Sequence, residues 1–101
     1  MENNEYENEQ AFLDATSSNW DSLKKRLHVG GSVKGVVTHR FSFGVFLDIG
    51  EQFPGLLEIT HMTFPNDKII ATKDLPNIGD KLSNLTIIGF RERDRQVYLE
   101  N

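Results

Sequence analysis

From Ser32 to Arg40 the chain alternates, with Val33, Gly35 and Val37 on one side of an extended backbone and Lys34, Val36, Thr38 and Arg40 on the other. A second alternation covers Val45 to Ile49, directing Val45, Leu47 and Ile49 inwards and Phe46 and Asp48 outwards. Gly55 to Glu58 predicts a short third strand, Lys81 to Phe90 a long fourth and Gln96 to Glu100 a fifth. Gly89, near the end of the fourth strand, marks a bend or bulge. Between the third and fourth strands, Pro65, Asn66, Pro76 and Gly79 interrupt the pattern; the gap has room for a one-turn helix near Ile59 to Met62 and an irregular crossover.

One helical period precedes the strands. Trp20, Leu23 and Leu27 recur at i, i+3 and i+7, Ser17 or Ser18 can cap the start, and Asp21 lies in the first turn. Lys24, Lys25 and Arg26 lie in the last turn, and Gly30 and Gly31 end the helix. Its apolar stripe is expected to plug against the strands, which makes Trp20 a core residue rather than a ligand-stacking one. Residues 1–16 are rich in Glu, Asn and Gln and hold little to bury beyond Phe12 and Leu13, so they are expected to fray or be disordered. The chain then divides into an acidic flexible tail (1–16), a short packing helix (17–29) and a strand domain (30–101).

With no second long helical pattern there is no strand–helix alternation of a parallel sheet, and the fold class is all-β. Five short strands with a long connection after the third fit a closed Greek-key barrel of the OB type, one face of which presents side chains to single-stranded nucleic acid.

Composition narrows the chemistry. Cysteine is absent from the 101 residues, which excludes disulfides, thiolate metal sites and cysteine nucleophiles. His28, His39 and His61 have no ligand spacing, so neither metal nor cofactor is expected. No phosphate-cradling glycine loop occurs, and Asp48, Glu51 and Glu58 without a cleft make weak acid–base partners, so no enzyme is expected. The start, MENNEYENEQ, has no apolar run, and no stretch is long enough to span a membrane; the reading is a soluble, cytoplasmic monomer. The net charge of −4 is unevenly spread. Residues 1–22 hold six acids and no Lys or Arg, while the other nine acids stand against all 11 Lys and Arg, a net +2 for the remainder.

The segments GGSVKGVVTHRFSFGVFLDIG, PGLLEIT, NIGDKL and RQVYLE, spread from about Val29 to Glu100, resemble the RNA-binding domain of the ribosomal protein S1 type, found in that protein, polynucleotide phosphorylase and ribonuclease E. The most specific element is Phe43-Gly44-Val45-Phe46, eight residues after Gly35 and followed by Gly55-Leu56. The resemblance implies that Phe43 and Phe46, on the second strand, form a stacking platform for bases. Glu58 stands where that family has a histidine, and Gln96 where it has an arginine, with Arg91, Arg93 and Arg95 crowded into the same loop.

Physical reasoning supports the same face. Bases of any identity stack on aromatic rings, and phosphates need cations nearby. Gly44 suggests a bulge that turns Phe43 and Phe46 to one side. Lys34, Arg40, Arg91, Arg93 and Arg95 would flank them, Phe41 and Phe53 would form the rim, and His61 completes the candidate RNA-binding set with Glu58. In the competing reading Phe43 is core, Phe46 a singly exposed ring and the arginines a solvated hairpin tip. The expected function is non-catalytic binding of single-stranded RNA with low sequence preference. The alternative is a protein-interaction module on the same fold, favoured by Glu58, Gln96 and the acidic start. Residues 1–22 could also act as an internal polyanion over the RNA face.

Overall fold

The computed structural model describes residues 9–62 and 75–101, with side chains from Thr16 onwards. A helix, α1 (Glu9–Arg26), leads into strands β1 (Ser32–Phe41), β2 (Gly44–Asp48) and β3 (Gly55–Glu58). A 3-10 turn follows at Ile59–His61, and β4 (Lys81–Arg91) and β5 (Gln96–Glu100) complete the chain. The strands close in the order β1-β2-β3-β5-β4. All neighbours are antiparallel except β3 and β5, which run parallel, and β1 pairs with β4 to seal the barrel.

Alternation decides what fills the barrel. Val37, Val45, Leu47, Leu57, Leu85, Ile87, Val97 and Leu99 project inwards and are buried, each stabilising by about 1.5–3 kcal/mol relative to exposure. Trp20 and Leu23 of α1 close the end where the β2–β3 loop and the β4–β5 turn lie. The Trp20 ring meets Phe53 and Phe90 edge-on, with centroids 5.1 and 5.9 Å away. Trp20 is thus core, and so is Phe53, which was expected at the rim: the β2–β3 loop folds it under the helix.

Helix α1 begins at Glu9, not at a Ser17 or Ser18 cap. The run Glu9-Gln10-Ala11-Phe12-Leu13-Asp14-Ala15 contains strong helix formers. Of the expected flexible tail, residues 9–16 are therefore helical; residues 1–8 lie outside the described residues, as does most of the expected crossover (63–74). Ser17 sits inside the helix, where its hydroxyl accepts a hydrogen bond from Arg95 Nη2 at 2.7 Å.

Register irregularities set the faces of the sheet. The β1–β2 register passes from Val37↔Leu47 to His39↔Phe46, leaving Thr38 as the extra residue, and a similar slip near Gly89 bends β4 as that glycine suggested. Beyond Thr38 the alternation of β1 inverts. Arg40, expected outside with Lys34, instead pairs with Val45 on the inner side, and its Nη2 donates to the Leu75 carbonyl at 3.2 Å. Among the described residues no helix is long and apolar enough to cross a membrane, and no cluster of metal-ligating side chains occurs.

Candidate nucleic-acid interface

The β1–β2 hairpin reverses at Ser42 and Phe43, with Phe41 paired to Gly44. Phe43 therefore sits on the turn rather than on the second strand, and the bulge expected at Gly44 lies across the hairpin at Thr38. Gly44 has φ +152°, and a Cβ there would strike the Leu57 carbonyl oxygen and come within 2.8 Å of the Glu58 Cα. Only glycine lets β2 approach β3 this closely. The Ile59 amide donates to the Phe43 carbonyl at 2.8 Å and fixes the turn against the end of β3.

Above this hairpin lies an aromatic array. The rings of His39, Phe41 and Phe43 are parallel to within 2°, with successive centroids 6.3 and 5.4 Å apart. Phe46 stands edge-on to Phe41 and Phe43, at 5.7 and 6.1 Å. Phe41 is 44% exposed and Phe43 45%, so the alternative of a core Phe43 does not hold. Phe46 is half-buried. Strand register extends the surface: His39 pairs with Phe46, Phe46 with Leu56 and Leu56 with Tyr98, one row across β1, β2, β3 and β5. Leu56 is covered completely beneath its neighbours.

A polar group borders the array. The Tyr98 hydroxyl donates to Glu58 Oε1, and His61 Nε2 lies 3.2 Å from the same hydroxyl oxygen. Arg91 spans the group, its guanidinium 6.0 Å from the Tyr98 ring centre and 3.8 Å from Glu58 Oε2. The hydrogen bond to Glu58, burial and the Glu58 charge push the Tyr98 phenol above its ordinary pKa, against the pull of Arg91.

Further down the outer face, Lys34, Val36, Asp48 and Lys81 surround an open cleft of about 500 Å³. Lys81 reaches this place because β4 pairs it with Val36. At the opposite end of the barrel from the hairpin, the β4–β5 turn serves the helix. Glu92 accepts from the Trp20 indole at 3.0 Å and from Lys24 at 2.9 Å. Lys24 first, then Trp20, holds the Glu92 carboxyl below its usual range. Arg26 does the same for Glu51 through paired hydrogen bonds of 2.8 and 3.1 Å.

The structure thus brings Phe41, Phe43, Phe46, Glu58, His61 and Arg91 together, with Lys34 at the adjoining cleft and Arg93 exposed on the turn. Arg40 and Arg95 are elsewhere, one half-buried and bound to the Leu75 carbonyl, the other bound to Ser17. Gln96 lies opposite Arg91, and its buried Oε1 has no hydrogen-bond partner among the described residues. Sequence reading missed His39, Lys81 and Tyr98. For Tyr98 the signal was present: Val97 and Leu99 point inwards, so Tyr98 between them must point out.

A closed five-stranded barrel in this order, plugged by a helix, defines an OB-fold. No family model matches the chain. It is 32% identical over 94 residues to the small ribosomal subunit protein bS1 of Pseudomonas aeruginosa, covering 92% of this chain and 16% of that one. To bS1 of Chlamydia muridarum it is 32% identical over 69 residues, 67% of this chain and 12% of the relative. Among solved structures, the uncharacterized protein MJ1198 of Methanocaldococcus jannaschii shares 28% identity at a TM-score of 0.57, covering 73% of this chain and 90% of that one. RNase R of Mycoplasma genitalium in complex with ribose-methylated single-stranded RNA shares the fold at 24% identity and a TM-score of 0.59, covering 85% of this chain and 15% of that one. The chain is homologous to a segment of ribosomal protein bS1 and shares its barrel with these solved structures. It spans 12 to 16% of the length of the ribosomal relatives it matches.

Proposed function

We propose that this domain binds single-stranded RNA, without catalysis and with low overall sequence preference. The observation that carries the reading is the array of exposed Phe41 and Phe43 with half-buried Phe46 on the outer face of the β1–β2 hairpin. Such surface aromatics are costly to leave in water, and a stacked base covers a ring at a gain of about 1–3 kcal/mol. Arg91 at one border and Lys34 and Lys81 at the other offer cations to the phosphates between bases. Kinship with bS1, a protein of the small ribosomal subunit, points the same way.

The test is an NMR titration of the whole chain with short single-stranded RNA at low salt. Shifts concentrated on His39, Phe41, Phe43, Phe46 and Tyr98 are expected. A spectrum unmoved by millimolar RNA would overturn the reading and favour a protein partner on the same face, the role for which Glu58 and Gln96 speak.

A further inference from the structure

We infer that Glu58 reads one base of the bound strand, selecting guanine through the two adjacent N–H donors of its Watson–Crick edge. The inference rests on the RNA-binding reading above and adds a specificity to it.

Glu58 pairs with Gly44, so its Cα sits directly across from the glycine that separates Phe43 from Phe46 on the platform. A base stacked on one of these two rings presents its edge beside the stack, and β3 is the strand next to them. The carboxylate is held in place rather than left to rotate. Tyr98 donates to Oε1, while Oε2 is 3.8 Å from Arg91, beyond hydrogen-bonding distance. A carboxylate offers about four acceptor positions, and Tyr98 fills one. The Glu58 side chain is 28% exposed, so the carboxylate is partly open to solvent.

Chemistry then selects the base. Guanine places the N1–H and N2–H donors side by side, matching the two oxygens of one carboxylate. Cytosine and adenine offer one amino group beside an unprotonated ring nitrogen, whose lone pair opposes the second oxygen. Uracil offers N3–H between two carbonyls, both of which repel a carboxylate. Reading of the Watson–Crick edge is open to single strands, where the bases are unpaired. Arg91 offsets the repulsion that Glu58 would otherwise exert on the flanking phosphates. Tyr98 acts as a positioning residue, aiming the carboxylate without touching the base.

The experiment is a fluorescence-anisotropy titration at fixed low salt with three heptamers: UUUGUUU, the same strand with inosine in place of guanosine, and all-uridine. Inosine lacks only the 2-amino group and stacks much as guanosine does. The parent protein should bind the guanosine strand about tenfold more tightly than the other two. In Glu58→Ala the ratio should fall to near one while the all-uridine strand binds at least as well as before. Tyr98→Phe, which keeps the ring and loses only the hydroxyl that aims the carboxylate, should lower the ratio. Equal binding of the three strands by the parent, or a guanosine preference that survives Glu58→Ala, would overturn the inference while leaving RNA binding standing. Failure of every strand to bind would remove both.

Discussion

Trp20 and Glu92, 72 residues apart in the chain, meet through one hydrogen bond: the indole N–H donates to the carboxylate at 3.0 Å. The contact ties α1 to the β4–β5 turn, while the indole ring itself is buried against Phe53 and Phe90. Packing and hydrogen bonding can be separated by substitution. Trp20→Ala should destabilise the protein by about 3–5 kcal/mol in a urea titration, because a cavity replaces a large buried ring. Trp20→Phe, which keeps an aromatic ring but loses the donor, should cost clearly less. Equal costs for the two would mean that the hydrogen bond, not the ring, holds the helix.

Acid should loosen the same contact. Lys24 and Trp20 hold the Glu92 carboxyl below its ordinary value, so its folded pKa lies beneath the unfolded one of about 4.3. A depressed carboxylate contributes its full stability above the unfolded value and loses it as pH falls through the folded one. Because the Glu92 side chain is 62% exposed, solvent screening limits the effect to at most about 1 kcal/mol. Thermal melts of the parent and Glu92→Gln should therefore differ at neutral pH and converge in acid. A difference that stayed constant over the whole acid range would rule out a charge effect.

Binding should depend on the ring of Phe43 and on salt. With its side chain 45% exposed and outside the barrel core, Phe43→Ala should change stability by no more than about 1 kcal/mol yet weaken RNA binding by about 1–3 kcal/mol. If three or four phosphates are neutralised, the slope of log affinity against log salt should be about −2 to −3 for a single strand. Isothermal titrations at several salt concentrations measure both quantities, and a salt-independent affinity would contradict phosphate contact.

The phenol of Tyr98 reports on its neighbour. Ionising it would place a phenolate against the Glu58 carboxylate and remove the hydrogen that the carboxylate accepts, which is why its pKa is raised. Glu58→Gln removes the charge and keeps an acceptor, so the Tyr98 pKa should drop back towards about 10. Ultraviolet absorbance of tyrosinate, followed in a Tyr6→Phe background that leaves Tyr98 as the only tyrosine, gives the value directly. No change on Glu58→Gln would mean that the two groups do not interact in solution.

Much of this architecture could be read from the chain because short strands with strict alternation have few ways to fold. β3 and β5 fall at Gly55–Glu58 and Gln96–Glu100, where turn residues bracket them in the sequence. Trp20, Leu23 and Leu27 announced the plug by their helical spacing. What could not be read were the effects of register. One extra residue at Thr38 moves half-buried Arg40 off the face of Lys34 and onto the side of Val45, and no local property of Thr38 signals it. Lys81 joins Lys34 only because of how β4 slides along β1. The arginines of the last turn looked interchangeable in sequence, yet Arg95 turns to the helix and Arg91 to the platform.

Closure of the barrel by the parallel β3–β5 pair has a consequence for how this domain meets other molecules. Among the described residues each strand has a hydrogen-bonded neighbour on both sides over part of its length, so no strand presents a wholly open edge to template an additional one. Recognition by adding a strand along a whole open edge, in which backbone amides supply affinity, is closed to it. Whatever binds must be met by side chains standing on the outside of the sheet. Affinity can then be tuned by changing those side chains one at a time, without touching the backbone pairing that keeps the barrel shut.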